Sequence, residues 1–565
     1  MKLSYFCLCR HFTGPTGQEI YGGKSRFLSL AGKRKERRSA KSSSSKKIIA
    51  YAAIGILALA AVSVTAFAPR PPAPNPVDDS RNESIRQFQQ LYCGSNTEPK
   101  TTNFVTEYGL PSGCEMPLSI EVESGKVWYM STKNGTLGSY DIASGKFEDE
   151  RPVPSWPSRT DPTTFSMSWS AKSDGNGNIW ITDERQRAIW RFNMAQETFS
   201  MFPVAAKLPS SIDFDSQGKI YFSGVQSTSI FIGDPSKMKD GTSEGITEVA
   251  LPLDGFSGID MSRVATGSLT VDKQNNKVWV SLLAFQIKGQ LFEYDIASSK
   301  VASPVDLPSD LNSPVGLAVD SSGNLWVTDH GTNMFFKYDK ASGDIERFVT
   351  SIASPQIYAG IDQPRAYTLP YWIERSPDSS LLWFNEHTGN KISSFDPEKL
   401  VLTEYWVPSQ NRNWALCPES TEACGLANAL QFASASNGQI WFTEWTENKI
   451  GVVDGAKPIP VSVSVEQEEL TVARGDSVEI RVILEAASQF DGTTMAASTL
   501  TPNGRLGNST GLFSEDSVSI LGGGTKQVSY TFTPAEELQP GRQTIMVGAG
   551  NAEITVLKAV TVNIV

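Results

Sequence analysis

The sequence predicts an all-β protein: a seven-bladed β-propeller followed by a C-terminal immunoglobulin-like β-sandwich, with one N-terminal transmembrane helix. Three observations support this prediction. A glycine turn followed by a strand with an aromatic second residue recurs between residues 102 and 457. Residues 458–565 contain short strands separated by turns at the spacing of a sandwich. Residues 48–68 carry no charge and are long enough to cross ~30 Å of hydrocarbon as a helix.

The N-terminal region predicts a membrane anchor. Residues 1–47 form a basic arm with twelve Lys and Arg against two Glu, a formal charge of +10. Because basic flanks stay in the cytoplasm, we expect a single-pass anchor over residues 48–68 and the bulk of the protein outside the cell. A cleaved signal peptide is the alternative, since Ala66–Ala68 fits a cleavage pattern, although Pro69 follows it directly. Residues 69–101 predict a proline-rich stalk with a short helix.

Charge and cysteine content restrict the partners and the compartment. The whole chain has a formal charge of −11, so the part that follows the +10 arm carries −21. This acidic balance excludes nucleic acid as a partner, because phosphate binding needs a basic face. The exported cysteines predict disulfides; they are Cys93, Cys114, Cys417 and Cys424. Four cysteines allow three pairings, and we favour Cys93–Cys114 with Cys417–Cys424 because these close short loops.

The repeats predict the blades of the propeller. Their second-strand aromatics are separated by 41 to 58 residues, a period typical of propellers. These aromatics are Trp128, Trp180, Tyr221, Trp279, Trp326, Trp383 and Trp441. Each repeat contains four strands, except that the last one ends near residue 455 after three. Residues 104–111, FVTEYGLP, resemble the fourth strand LTEYWVP at residues 402–408. We therefore expect the N-terminal strand to complete blade seven and close the ring, which removes exposed sheet edges.

Two stretches contain a more specific version of the repeat motif. IWFTEWTENKIG at residues 440–451 and SLLWFNEHTGNKIS at residues 380–393 resemble the repeat of virginiamycin B lyases (streptogramin lyases). NHL-repeat and gluconolactonase-type propellers have related blades. The resemblance covers residues 102–457. It implies a carbon–oxygen lyase that opens a cyclic depsipeptide or a lactone by elimination, with a histidine base, acidic side chains and Mg²⁺.

The histidine of that family stands at the start of the first strand of a blade. This sequence has only His11, His330 and His387, none of which lies at such a position. In blade five, Val315 stands where the base is expected. His387 or His330 is therefore the candidate for a displaced catalytic base.

Acidic residues end the second strand in four of the repeats. They are Asp183, Asp329, Glu386 and Glu444. If the ring closes, Asp329, Glu386 and Glu444 are expected to converge at one mouth of the channel and to hold Mg²⁺ or Ca²⁺, with Asp183 and Trp445 contacting a ligand. The alternative is that these acids brace turns by accepting backbone N–H groups and that the histidines are bonded loop residues. The pairs Asn390-Lys391 and Asn448-Lys449 are interpreted as turn and surface elements.

Three functions remain open from the sequence. The favoured one is a binding propeller with an unknown small molecule, peptide or surface partner at the channel mouth, because the blade motifs persist while the catalytic histidine does not. The second is a divergent Mg²⁺-dependent lyase. The third is a structural or adhesive cell-surface protein, in which the sandwich is the adhesive part.

Overall fold

The computed structural model describes residues 98–160, 164–351, 367–414, 425–500 and 508–565. The basic arm, the expected membrane span and nearly all of the stalk lie outside these residues, as do Cys93, Cys417 and Cys424. Within the described part of the chain, no helix is both long enough and apolar enough to cross a membrane. Cys114 is disulfide-bonded, and the two favoured pairings stay predictions.

Short antiparallel strands account for the repeat region. Strand β1 (Val105–Gly109) belongs to blade seven. Blades one to three are built from β2 (Pro117–Glu123), β3 (Lys126–Ser131), β4 (Thr136–Asp141), β5 (Lys146–Phe147), β6 (Arg151–Pro152), β7 (Ala171–Ser173), β8 (Asn178–Asp183), β9 (Ala188–Asn193), β10 (Thr198–Pro203), β11 (Pro209–Phe214), β12 (Ile220–Gly224), β13 (Ser229–Gly233) and β14 (Ile246–Ala250). Blades four to seven contain β15 (Val264–Asp272), β16 (Lys277–Ala284), β17 (Lys288–Asp295), β18 (Lys300–Val301), β19 (Val305–Asp306), β20 (Pro314–Val319), β21 (Leu325–Asp329), β22 (Met334–Tyr338), β23 (Ile345–Val349), β24 (Pro370–Arg375), β25 (Leu382–Glu386), β26 (Lys391–Asp396), β27 (Val401–Trp406), β28 (Ala429–Ser434), β29 (Gln439–Glu444) and β30 (Lys449–Asp454). The helical segments are α1 (Pro157–Thr160) and the 3-10 turns η1 (Asp254–Phe256), η2 (Met261–Arg263) and η3 (Arg412–Trp414).

These strands form seven sheets. In each sheet the first strand of the repeat is the innermost one. The innermost strands are β2, β7, β11, β15, β20, β24 and β28. Each contacts the innermost strand of the next sheet, and β28 contacts β2, so the seven sheets form a closed ring. Large side chains fill the space between sheets: the Trp180 ring lies 6.0 Å from Phe214 of the next sheet, and the Trp326 ring lies 5.5 Å from Phe395 of the next sheet.

Strand β1 closes the ring as the sequence predicts. It pairs antiparallel with β30, with Val105 opposite Val453 and Tyr108 opposite Ile450. The seventh sheet therefore has the order β1-β30-β29-β28 and takes its outer strand from the opposite end of the repeat array. The chain cannot form this sheet until residues more than 300 positions apart meet, so local sequence preferences alone do not determine its formation.

The C-terminal domain consists of two sheets. Its strands are β31 (Val461–Val465), β32 (Glu469–Val472), β33 (Val478–Ala486), β34 (Phe490–Ser498), β35 (Thr510–Phe513), β36 (Ser517–Ile520), β37 (Thr525–Thr533), β38 (Gly541–Gly550) and β39 (Ile554–Ile564). One sheet has the order β31-β33-β37-β35, and the other contains β36, β34, β38 and β39, with β32 parallel to β39. Alternating buried and exposed side chains on β33 and β37 place one face of the first sheet in the core.

The C-terminal domain continues blade six, which the sequence does not predict. Strand β39 pairs antiparallel with β27, so that Leu557 lies opposite Leu402 and a single nine-stranded sheet spans both domains. Buried side chains follow the same seam: Leu402, Leu557 and Ala559 belong to one apolar cluster. The domain is therefore not a separate appended module, because it shares sheet and core with the propeller.

The shared core predicts that both domains unfold together. All 13 tryptophans lie between residues 128 and 445, so tryptophan fluorescence reports on the propeller alone. Leu557→Ala removes a fully buried side chain of the C-terminal domain and should lower the free energy of unfolding by about 3 kcal/mol. We expect the urea midpoint of the tryptophan signal to fall, whereas Leu512→Ala, at a side chain that is 70% exposed, should leave it unchanged. An unchanged tryptophan midpoint in Leu557→Ala would show independent domains.

Candidate functional site

Two of the four strand-ending acids brace turns. The Asp329 carboxylate accepts hydrogen bonds from the backbone N–H groups of Ser313 and Gly331, at 2.8 and 3.0 Å. The Asp183 carboxylate accepts from the Ser166 hydroxyl at 2.6 Å and from the Trp190 indole at 3.2 Å. Burial raises the pKa of Asp329 to about 6. Both acids hold the turn after their strand to the start of the same sheet, which agrees with the bracing interpretation.

Glu386 lies in a buried charge group of blade six. The Lys391 ammonium is 3.2 Å from Glu386 and 3.1 Å from Glu404, and all three side chains are inaccessible to solvent. Burial raises the pKa of Glu386 to about 8, an effect that Lys391 opposes. One lysine cannot neutralise two buried carboxylates, so Glu386 holds a proton at neutral pH while Lys391 and Glu404 form the ion pair. The Ser393 hydroxyl lies 2.6 Å from Glu386.

Blade seven repeats this arrangement around Glu444. Burial, followed by the neighbouring Glu107 carboxylate, raises the pKa of Glu444 well above its ordinary value. The Lys449 ammonium lies 3.1 Å from Glu107, and both side chains are buried. Glu107 comes from the closing strand β1 and Glu404 from β27. The motif of strand-ending Glu, Asn-Lys pair and Thr-Glu-Tyr strand thus encodes a buried Glu-Lys-Glu group in each of the last two blades.

The Asn-Lys pairs are only partly the turn and surface elements that the sequence suggests. Asn390 and Asn448 have left-handed backbone conformations, with φ of 56° each, as the turn interpretation requires. The Asn390 side chain also accepts from the backbone N–H of Ala427 at 2.8 Å, which ties blade six to blade seven. Lys391 and Lys449 are buried, so their assignment to the surface is wrong. A lysine becomes buried here because carboxylates surround its ammonium group.

The predicted convergence of Asp329, Glu386 and Glu444 is not found. Each carboxylate belongs to a separate network inside its own sheet. Among the residues described, no group of three or more His, Cys, Asp or Glu side chains is arranged to hold a metal ion. Convergence fails because Glu386 and Glu444 turn toward the third and fourth strands of their own blades, whereas Asp329 is bonded to the turn that follows it and to the start of its own sheet. Binding of Mg²⁺ or Ca²⁺ stays a prediction of the family resemblance.

Both candidate histidines are buried and neutral. His330 is 2% exposed and His387 is 7% exposed. Their rings stack at 5.5 Å, and the Tyr371 ring lies 4.3 Å from His330. Burial lowers the pKa of His330 to about 3 and that of His387 to about 4. Neither imidazole combines access to the channel with the basicity that proton abstraction requires.

An apolar cluster fills the channel at this end. We call it the plug; it contains Met116, Leu118, Met167, Trp169, Leu283, Val315, Tyr371, Leu430 and Trp445. These residues come from six of the seven sheets, mostly from the start of the innermost strands. Val315, at the position of the expected base, is one of them. Trp445, predicted to contact a ligand, is 4% exposed and is part of the plug.

The other end of the channel contains a polar cavity of about 460 Å³. Innermost strands of all seven sheets line it, and β20 and β24 run from the plug to this cavity. The Lys172 ammonium of blade two is 2.9 Å from Glu374 of blade six, so the ion pair crosses the channel between sheets that are not neighbours. Glu121 of blade one lies 4.0 Å from the same ammonium. Burial raises the pKa of Glu121 to about 7, against the effect of Lys172.

The sequence contains no local motif for this cavity. Lys172, Glu121 and Glu374 belong to no motif and lie in three different repeats. The signal that could have found them is a charged residue within an innermost strand, where core packing favours apolar side chains. Recognising these three residues as one group requires the closed ring, because only the ring brings blades one, two and six to one axis.

The raised pKa of Glu386 predicts a pH-dependent stability. The ordinary value is 4.5 and the folded value about 8, so the native protein binds more protons between these pH values. Its stabilising contribution is complete below pH 4.5 and is lost as pH rises through 8. Glu386→Gln cannot titrate, so its free energy of unfolding should rise relative to the wild type from pH 5 to pH 9 in urea titrations. Parallel pH profiles for the two proteins would contradict the assignment.

The control for this experiment is Glu346→Gln, which alters a partly exposed pair with Lys337 at 2.8 Å and should change stability by less than about 1 kcal/mol at any pH. The double variant Glu386→Gln/Glu404→Gln leaves the buried Lys391 without a carboxylate. It should lose about 3–5 kcal/mol, as expected when a buried charge loses its partners.

Comparisons with known proteins agree with the repeat motif. The NHL repeat family matches residues 311–337, which contain β20, β21 and all but the last residue of β22. A streptogramin B lyase structure is 21% identical over 62% of this chain and 96% of its own, with a TM-score of 0.46. Virginiamycin B lyase from Staphylococcus aureus is 19% identical over 63% of this chain and 99% of its own, at a TM-score of 0.45. Hydrazine synthase from Kuenenia stuttgartiensis is 12% identical over 61% and 97%, at 0.44.

No curated protein sequence matches the chain. The resemblance to streptogramin lyases that the repeat motif predicts is confirmed by these structural neighbours, and the chain is similar to that group and to NHL-repeat proteins.

Proposed function

We propose that this protein is a membrane-anchored, extracellular β-propeller that binds a small ligand in its central channel. The anchor in this proposal is the uncharged segment 48–68, and the C-terminal domain is an immunoglobulin-like sandwich that stays docked on blade six. The ligand enters from the face that carries the turns between the first and second strands of each blade.

The difference between the two ends of the channel is the observation that supports this proposal. At one end the plug excludes water, and both histidines are buried in contact with it. At the other end a cavity of about 460 Å³ contains a charged pair and partly exposed side chains. This volume is within the range of ~300–1,000 Å³ that small-molecule sites occupy. Burying charged groups in a wall is costly, and a ligand that completes their interactions gives the cavity a function.

A lyase is the less favoured reading of the same geometry. Elimination requires a base within hydrogen-bonding distance of the substrate proton. His330 and His387 are covered by neighbouring rings, and the carboxylates that would accompany them lie in separate blades. The structural neighbours share the fold with this chain, whereas the chemistry of a lyase depends on side chains that are replaced or buried here.

Ligand binding in the channel is tested by thermal unfolding with a library of small polar molecules. We expect a ligand that raises the melting temperature of the wild type, and a loss of this shift in Lys172→Met. The matched control is Lys337→Met, which breaks an ion pair of similar length, 2.8 Å, on the outer strands of blade five; it should retain the shift. A shift that survives Lys172→Met and disappears in Trp445→Ala would place the site at the plug instead.

Membrane anchoring is tested by extracting cell membranes with alkaline carbonate. An uncleaved span over residues 48–68 should keep the full-length protein in the pellet, because hydrophobic burial of ~20 apolar residues is not reversed by charge or pH. A signal peptide would instead yield a soluble mature protein that begins after Ala68. The mass of the intact protein distinguishes the two outcomes.

A further inference from the structure

Blade one contains a variant of the buried Glu-Lys-Glu group. In blades six and seven the lysine is the first residue of the third strand. In blade one this position belongs to Thr136, which pairs with Ser131 at the end of the second strand as Lys391 pairs with Glu386. Hydroxyl side chains therefore replace both the lysine and the strand-ending glutamate of the motif.

The two acids of the group are nevertheless present in blade one. Glu150 has the position of Glu404, since each lies two residues before the outer-strand residue that pairs with the start of the third strand. Glu115 supplies the second carboxyl group, which accepts from the Ser131 hydroxyl at 2.5 Å and contacts the Glu150 carboxyl group. Burial raises the pKa of Glu115 to about 8, as it does that of Glu386. Blade one thus has both carboxyl groups without the ammonium group between them.

No basic side chain replaces the lysine. Neither of the two carboxyl groups forms a salt bridge within the described part of the chain. The basic residues of this blade have other partners: Lys126 and Arg151 contact Glu148, and the Lys133 ammonium donates to the Thr164 carbonyl at 3.5 Å. A carboxylate in the interior is costly without a compensating positive charge. The group therefore has a place for one cation.

Buried oxygen atoms without partners point into the same place. The Tyr129 hydroxyl, on a fully buried side chain, and Oε1 of Glu150 have no hydrogen-bond partner among the residues described. Tyr129 lies two residues before Ser131 on the same face of β3, and its hydroxyl interacts electrostatically with both carboxyl groups. The Thr136 hydroxyl lies 2.9 Å from Glu150. Carboxyl and hydroxyl oxygens, which keep lone pairs for a further contact, are suitable ligands for a hard cation.

The lysine groups of the other blades indicate the size and charge of the ion. The Lys391 nitrogen is 3.1 Å from Glu404 and 3.2 Å from Glu386, and the Ser351 hydroxyl lies 2.6 Å from it. Most of these distances exceed the about 2.3–2.6 Å at which Ca²⁺ holds its oxygen ligands. A K⁺ ion is nearly as large as an ammonium ion and supplies the same single charge.

We propose that blade one binds a K⁺ ion between Glu115 and Glu150, in the place that a lysine ammonium group has in blades six and seven. Its coordination is completed by the hydroxyl groups of Tyr129, Ser131 and Thr136. The backbone N–H of Glu115 also donates to the Asn448 side chain of blade seven at 2.6 Å. The ion therefore stabilises the junction of the first and last blades, and its site is separate from the channel and the channel ligand.

The test is the melting temperature of the full-length protein in detergent after dialysis against chloride salts of equal concentration. At about ten times its Kd, K⁺ should raise the melting temperature by about 2 °C relative to tetramethylammonium, which is too large to enter. Na⁺ should raise it less. Thr136→Lys supplies the ammonium group itself, so this variant should melt at the temperature of the K⁺-loaded wild type in every salt.

The matched control is Thr198→Lys, which adds the same charge at an exposed strand position of blade two and should retain the K⁺ response. Glu150→Gln removes a partly exposed acid of the site and should lose the response, which tests the site even if Thr136→Lys does not fold. Thallium(I) replaces K⁺ in such sites. In crystals soaked with it, an anomalous scattering peak between Glu115 and Glu150 is expected.

Three results overturn the assignment. Equal melting temperatures in K⁺ and tetramethylammonium would show that the two acids share only a proton. A K⁺ response that persists in both Thr136→Lys and Glu150→Gln contradicts this site. A larger response to Na⁺ or Ca²⁺ that Thr136→Lys abolishes contradicts K⁺ as the ion. The outcome is independent of the channel, because Lys172→Met should keep the K⁺ response of the wild type.

Discussion

The pairing of β1 with β30 is the interaction on which the remaining structure depends. It joins residues from opposite ends of the repeat array and places Glu107 of β1 beside the Lys449 ammonium, 3.1 Å away in the interior. A buried ion pair adds little net stability, but an unmatched buried lysine is strongly unfavourable. The closing strand therefore fixes the register of the β1–β30 pairing as well as forming its hydrogen bonds, since only the correct register brings this carboxylate to Lys449. Without the closed ring, blades two and six have no shared axis and the Lys172–Glu374 pair cannot form.

The C-terminal domain covers the exposed outer edge of blade six. Outer blade strands present unpaired backbone groups to solvent, and propellers usually leave these edges short. Here β39 covers β27 along five residue pairs, and the backbone N–H of Ala559 extends the seam to the carbonyl of Leu400 at 2.9 Å. Blade six thus differs from its neighbours: its innermost strand carries Glu374 of the channel and its outermost strand carries an entire domain. One continuous sheet connects the candidate ligand site to the C-terminal domain.

The sequence predicts those features that depend on local periodicity. The aromatic repeats identify the blades because each second strand must fill the space between two sheets, and the Thr-Glu-Tyr similarity identifies the closing strand because both copies occupy the same place in a blade. It does not predict the burial of Lys391 and Lys449, because lysine is rarely buried and its partners lie on strands whose positions only the ring defines. The pairing of β39 with β27 also carries no local signal, since any strand of that alternation fits an open edge. The three acids do not converge for a related reason: the repeat gives the position of an acid along the strand but not the direction of its side chain.

The repeat motif and the candidate site have separate physical causes. The strand-ending glutamates, the Asn-Lys pairs and the outer Glu hold the last two blades together, as the Glu386, Lys391 and Glu404 group shows, so folding alone accounts for them. The start of the innermost strands is free of this constraint. Valine at position 315 and aromatic neighbours close one end of the channel, and a closed end leaves only the opposite one for a ligand. There the innermost strands carry Glu121, Lys172 and Glu374, residues that the blade architecture does not require. Buried charges such as Lys391 and Lys449 serve the fold, whereas the channel residues pair across blades, and it is for these that we propose a function.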